Sequence, residues 1–215
     1  GLKLFLGSYP ITPATDVLHE LSKHKSLGVI TVQCEDEISG CATAIGASFA
    51  GALAVTTTSG PGVCLKSEAM NLAVITELPL VVLDVQRGGP STGLPTKSEQ
   101  TDLLQALFGR NGESPMPVIA ATSPTNCFDA AYAACKMALE HMTPVVLLTD
   151  GFVANGSGSW KLPNLDAYPE IKPQYVTPEM KDNYTPYKRN PENQVRYWAV
   201  PGQEGYTHIL GGLEK

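Results

Sequence analysis

Four stretches of this 215-residue chain gather the residue types that do chemistry. They are Gly7-Ser8-Tyr9-Pro10-Ile11-Thr12-Pro13, Glu35-Asp36-Glu37, Thr57-Thr58-Ser59-Gly60-Pro61-Gly62, and the long run from Gln86 and Arg87 to Thr96. Each follows a short apolar run and precedes a helical pattern, the place where an α/β protein collects its ligands. The three adjacent acids can simply favour a helix N-terminus, at about 0.3 to 1 kcal/mol each. Three neighbours cannot all point one way, however. One turned inward would be kept protonated by burial and would serve as a proton donor. Arg87 is one of two arginines in the first 150 residues, and in a glycine-rich loop a guanidinium can grip a carboxylate with two parallel hydrogen bonds. A surface ion pair is the plainer use of Arg87, and an N-cap ahead of Pro13 is the plainer use of Thr12.

Two tempting signatures fail on context. Gly89-Pro90-Ser91-Thr92-Gly93 spells the nucleophile elbow of hydrolases, but the preceding strand ends near Asp84, and Pro90 and Pro95 preclude a helix starting at Ser91. Gly60 to Ser67 nearly spells a phosphate-binding loop, yet Leu65 stands where that loop needs glycine.

The elements that must position these loops follow from periodicity. Buried strands are expected at Leu2 to Leu6, Val29 to Val32, Leu53 to Thr57, Leu80 to Asp84, Val118 to Ala121 and Val145 to Thr149. Helices are expected at Thr15 to His24, Ile38 to Ala50, Leu65 to Thr76, Glu99 to Leu107 and Thr125 to His141, with Thr12-Pro13 and Ser123-Pro124 placing proline in a first turn. This alternation specifies an α/β fold, a doubly wound parallel sheet with helices on both faces. The second helix is rich in small residues, which suits either tight packing on the sheet or the approach of a cofactor.

Composition sets the boundaries. The net charge of −6 falls entirely within residues 1–150, with 14 acidic and 8 basic groups, while the remainder is balanced at 7 each. That distribution argues against nucleic acid as a partner. Residues 156–215 form an irregular Pro-, Tyr- and Trp-rich extension, a surface wrap or a linker to another domain, beyond an α/β domain at 1–155. No apolar run reaches the roughly 18 to 20 residues of a membrane span, and the N-terminus does not read as a signal peptide. Five cysteines without paired spacing suit a reducing, cytoplasmic setting and exclude a locally held four-thiolate iron–sulfur cluster.

The four loops together resemble the alpha subunit of 2-oxoacid:ferredoxin oxidoreductases, the 2-oxoglutarate type in particular. The resemblance rests on Tyr-Pro-Ile-Thr-Pro at 9–13, Gln-x-Glu-Asp-Glu at 33–37, Thr-Ser-Gly-Pro-Gly at 58–62 and Val-Gln-Arg-Gly-Gly-Pro-Ser-Thr-Gly-Leu-Pro-Thr at 85–96, in family order. It is strong over residues 2–155 and loose beyond. It implies the pyrimidine-binding domain of a thiamine diphosphate enzyme, working with a beta subunit that carries the diphosphate and Mg²⁺ site and an iron–sulfur cluster. The chain itself has no Gly-Asp-Gly metal motif, and Asp150-Gly151 lacks the preceding glycine, so no metal ligands are assigned here. The family's catalytic glutamate lies nine residues before the glycine of the following helix, Gly46, which selects Glu37. The chemistry needs a neutral carboxyl there, hydrogen-bonded to N1′ of the aminopyrimidine. Thr58 and Ser59 fall on the cofactor-binding motif, and Thr12, Arg87 and Thr96 on the substrate-binding ones. Ferredoxin, coenzyme A and a 2-oxoacid are the implied reaction partners, and a gamma domain, fused or separate, the implied neighbour. Family members usually carry a helix before the first strand and a further domain after Gly212-Leu213-Glu214, so the sequence reads as an excised core. Another thiamine-dependent decarboxylase or transferase subunit, and a noncatalytic assembly module, stay open as alternatives.

Overall fold

A computed structural model describes residues 2–211. Gly212-Leu213-Glu214 lie outside the described residues. Six strands, β1 (Leu4–Ser8), β2 (Ile30–Gln33), β3 (Leu53–Thr58), β4 (Leu80–Gln86), β5 (Val118–Ala120) and β6 (Pro144–Asp150), form one sheet in the order β2-β1-β3-β4-β6-β5. Every pairing is parallel. The central strands are apolar on both sides because both faces are covered, and alternate residues feed different cores. Leu80 and Val82 of β4 pack with Val146 and Leu148 of β6 on one face, joined by Ala44 and Ile45 of α2 (Glu37–Phe49) and Ala69, Met70 and Ala73 of α4 (Ser67–Ile75). Val81, Val145 and Leu147 pack on the other face against Ala130, Ala134 and Ala138 of α6 (Cys127–His141).

The helices differ from the periodicity where side chains found stronger partners. The first stops early: α1 (Thr15–Leu21) passes into a 3₁₀ turn at Ser22–Leu27, where Ser22 Oγ donates to the His19 carbonyl, a local bond that competes with helix continuation. Thr12-Pro13 is a cis peptide outside that helix and Ala14 precedes its first residue, so Pro13 is not in a first turn and Thr12 is not the cap. Ser123-Pro124 opens a 3₁₀ turn, Pro124–Asn126, ahead of α6. The expected helix at 65–76 is two, α3 (Gly60–Leu65) and α4, broken at Lys66 because its side chain turns into the core and donates to Thr56 Oγ1 at 3.0 Å. The helix expected from Glu99 begins only at α5 (Leu103–Phe108). Residues before it are tied elsewhere: Glu99 accepts from Gly89 N at 2.8 Å, Gln100 donates to Asp150 at 2.7 Å, and Asp102 N donates to Gln86 Oε1 at 3.0 Å.

Beyond the short helix α7 (Gly151–Asn155) the chain descends along α6, with Tyr168 against Phe128 and Tyr132, and then crosses the N-terminal ends of the strands. There Trp198 is buried with Leu139, Met142 and Leu53, and Arg196 is buried with its Nε on the Glu77 carbonyl at 3.0 Å. The extension thus wraps the end of the sheet opposite the four loops. No described helix is long and apolar enough to cross a membrane.

Candidate active site

Strand order reverses between β1 and β3: the connection after β1 leads to β2 on one side, and the connection after β3 leads to β4 on the other. Such a switch point opens a crevice at the carboxyl ends of the strands, which is where ligands enter open α/β sheets. Ser8 Oγ and Thr57 Oγ1, 2.7 Å apart, join β1 and β3 at its floor. Helix α2 seats closely on β1: a Cβ on Gly40 would stand 3.2 Å from Ser8 Cα. At this contact the small residues of α2 serve packing on the sheet.

The acid triplet divides its duties. Asp36 is the N-cap of α2, accepting from Ser39 N at 2.7 Å, and Ser39 Oγ completes a capping box. Those hydrogen bonds hold the Asp36 carboxyl below the usual carboxylate range. Glu35 is exposed. Glu37 turns inward in the first turn of α2 and is only 7% exposed. It meets Thr58 across Gly62, where an added Cβ would stand 1.8 Å from Thr58 Oγ1 and 2.9 Å from Glu37 Cγ. Only glycine allows the helix, the strand end and the glutamate to converge there. Thr58 and Ser59 are fully buried, and Ser59 Oγ, at the N-cap of α3, has no hydrogen-bond partner. A buried acid, an orphaned hydroxyl and a glycine-lined approach fit the polar edge of an aminopyrimidine.

Arg87 follows β4 and is 7% exposed, so it is not a surface ion-pair residue. Its Nη1 donates to the Thr12 carbonyl at 2.8 Å and its Nη2 to the Thr92 carbonyl at 2.6 Å, while Nε is buried without a partner. These bonds fasten the loop after β4 to the loop after β1. Two clefts flank the junction. One, of about 500 Å³, is lined by Gly60, Pro61, Arg87 and Asp102; the other, of about 420 Å³, holds Thr12 and Thr96 with Lys97 and Asn155. The sequence-selected residues therefore form three groups: Glu37, Thr58 and Ser59 at Gly62; Arg87 between the clefts; Thr12 and Thr96 on its far side.

Asp150 caps α7, accepting from Phe152 N at 2.7 Å and Val153 N at 3.1 Å. Ser91 is exposed in the loop with φ 60, and no helix begins there. Gly60–Leu65 is helical and Lys66 points inward, so the near-match to a phosphate loop forms no phosphate cradle. Motif reading did not select Asp84, Lys66 and Asp102. Asp84 is buried on β4 beside the Asp102 carboxyl, and Lys66 is buried nearby; burial pushes Asp84 well above the carboxylate range and pulls Lys66 below its usual value. The available signal was a lone acid inside the apolar run Leu80 to Val85.

The chain is similar to known proteins over its whole length. The family described as pyruvate flavodoxin/ferredoxin oxidoreductase, thiamine diphosphate-binding, matches residues 2–211. The 2-oxoglutarate oxidoreductase subunit KorA of Mycobacterium tuberculosis is 58% identical over 214 residues, covering 100% of this chain and 32% of that protein. The 2-oxoglutarate synthase subunit KorA of Archaeoglobus fulgidus is 42% identical over 162 residues, 75% of this chain and 47% of its own length. Among solved structures, a 2-oxoglutarate:ferredoxin oxidoreductase from Magnetococcus marinus, with 2-oxoglutarate, coenzyme A and succinyl-CoA bound, superposes with a TM-score of 0.90. It is 38% identical, and the match covers 100% of this chain and 37% of that one. The chain spans 32% to 47% of the length of these relatives. It belongs to the thiamine diphosphate-binding family of the pyruvate flavodoxin/ferredoxin oxidoreductases.

Proposed function

We propose that the chain is the pyrimidine-binding part of the alpha subunit of a 2-oxoacid:ferredoxin oxidoreductase, with 2-oxoglutarate as the substrate. The overall change converts a 2-oxoacid and coenzyme A to acyl-CoA and CO₂ and passes two electrons to ferredoxin. The observation that carries the reading is the convergence of buried Glu37 with Thr58 across Gly62 at the switch point. Thiamine diphosphate, when bound, supplies the carbon nucleophile and the electron sink that decarboxylation of a 2-oxoacid requires. Glu37, Thr58 and Ser59 hold its pyrimidine end, with the Glu37 carboxyl as the partner of ring N1′.

Arg87 and Thr12 orient the carboxylate of the 2-oxoacid, and Thr96 contacts the substrate from the adjoining cleft. The guanidinium is already fixed by two main-chain carbonyls, so it is preorganised for an anion. Mg²⁺ and the iron–sulfur cluster are assigned to a partner beta subunit, and a gamma domain to the remainder of the assembly. The five cysteines are all free thiols, which suits the cytoplasm as the place of work.

The test is reconstitution of the full alpha and beta chains and measurement of dye or ferredoxin reduction dependent on thiamine diphosphate and coenzyme A. Turnover with 2-oxoglutarate supports the reading, and turnover with another 2-oxoacid corrects only the substrate. No turnover with any 2-oxoacid overturns it in favour of a noncatalytic module.

A further inference from the structure

On the face of the sheet that carries α6, a cavity of about 270 Å³ lies between α1, α6 and α7, with Leu83 and Val85 of β4 and Leu147 of β6 on its sheet side. Small residues leave the space open. Ala131 of α6 and Ala154 of α7 line it where longer side chains would fill it, and α7 is only five residues long. Packed cores hold few voids larger than a water molecule. An apolar cavity of about 150 Å³ accepts benzene, so this one has room for a body of about ten non-hydrogen atoms.

The polar features of the cavity say what that body carries. Thr149 is 8% exposed, and its Oγ1 is buried without a hydrogen-bond partner. Leu147 packs in the core on the α6 side and Leu148 in the core on the other side, so strand alternation puts the Thr149 side chain on the cavity side. A buried hydroxyl left unpaired is costly, and it can donate to a ligand oxygen or accept from a ligand hydroxyl. Pro13, Asp16 and Asn155 line both this cavity and the cleft of Thr12 and Thr96. Among the described residues no lysine, arginine or histidine lines the cavity, so nothing there compensates an anion, and Asp16 repels one.

We propose that this cavity is a ligand site of its own, for a small uncharged molecule with a hydrocarbon body and one hydroxyl or carbonyl group that hydrogen-bonds Thr149 Oγ1. It adjoins the cleft assigned to the 2-oxoacid but selects against that anion. The proposal does not depend on the roles given to Glu37 and Arg87. Cys127 supplies a reporter, since its thiol lines the cavity and donates to the Ser123 carbonyl at 3.4 Å.

The experiment titrates the full alpha–beta assembly with indan-5-ol, with indane as the probe lacking the hydroxyl and indane-5-carboxylate as the charged one, followed by nuclear magnetic resonance. Indan-5-ol should bind saturably, and the carboxylate should not. Thr149→Val keeps the side-chain shape and should weaken indan-5-ol by roughly 2- to 12-fold, the worth of one neutral hydrogen bond, while leaving indane unchanged. Ala131→Leu fills the space and should abolish binding of both. Bound indan-5-ol should also slow alkylation of Cys127 by N-ethylmaleimide, read by peptide mass spectrometry. Absence of saturable binding overturns the proposal, as does binding that survives in Ala131→Leu or leaves Cys127 alkylation unchanged. Indan-5-ol binding unaffected by Thr149→Val, or carboxylate binding as tight as that of the alcohol, overturns the assigned ligand class. If Ala131→Leu fails to assemble, Thr149→Val and the protection of Cys127 still decide.

Discussion

Replacing Gly62 with alanine would insert a methyl group where Thr58 and Glu37 meet. The new Cβ would stand 1.8 Å from Thr58 Oγ1, 3.2 Å from Thr58 Cβ and 2.9 Å from Glu37 Cγ. Neither neighbour can swing into solvent, since Thr58 is 0% exposed and Glu37 only 7%. Thr58 also ends a strand and, being β-branched, has little rotamer freedom with which to yield. Overpacking of this kind costs about 1 to 3 kcal/mol. If the strain is relieved by displacing Glu37, it appears as roughly 5- to 150-fold weaker thiamine diphosphate binding. The assay is cofactor titration of the assembled enzyme, followed by fluorescence and by the onset of 2-oxoglutarate-dependent dye reduction. Gly46→Ala is the control, because a Cβ on that exposed α2 glycine meets nothing within 4 Å. Cofactor affinity and turnover in Gly62→Ala equal to those of the parent would show that Thr58, Gly62 and Glu37 are not the pyrimidine cradle.

Gly46→Ala should itself stabilise the fold by about 0.5 to 1 kcal/mol, read as a raised midpoint in chemical denaturation. Arg87→Lys should raise KM for the 2-oxoacid at least tenfold, because an ammonium cannot span the Thr12 and Thr92 carbonyls and still present a fork; an unchanged KM removes Arg87 from the substrate site. Cys41 and Cys135, whose thiols burial pushes up to about 11, should resist iodoacetamide at about pH 8, where on the order of one in a thousand is ionised. The raised Asp84 makes the folded chain bind more protons than the unfolded one above the ordinary carboxylate range. Stability should therefore fall as pH rises from that range toward the folded-state value, and Asp84→Asn should flatten this slope in pH-dependent denaturation.

All six strands were legible because parallel strands buried on both faces read as continuous apolar runs. Helix boundaries were less so. Glu99 to Asp102 continue a helical pattern, yet their side chains are committed to Gly89 and Asp150 and their backbone to Gln86, contacts between segments that no periodicity reports. Lys66 has the same lesson: a charged residue in a helical run looks solvent-facing, and only the fold shows it turned to Thr56 and splitting α3 from α4. At the candidate site, crowding three acids at one helix start implied that one of them turns inward, and the resemblance selected Glu37, which is the buried one. The burial of Arg87 between two loops did not follow from its spacing, since its partners are main-chain carbonyls 75 and 5 residues away in sequence. The approach of Asp102 to Gly60 was hidden for the same reason, because it forms only when the segment after β4 folds back over that glycine.

The central claim, that this chain holds the pyrimidine end of thiamine diphosphate through Glu37, is tested most directly by a structure of the complete assembly with the cofactor bound. The account predicts ring N1′ at about 2.6 to 3.2 Å from the Glu37 carboxyl, with Thr58 and Ser59 lining the ring and Arg87 facing the substrate cleft. A pyrimidine ring bound wholly by the partner subunit, or one whose N1′ meets a different acid, would contradict it.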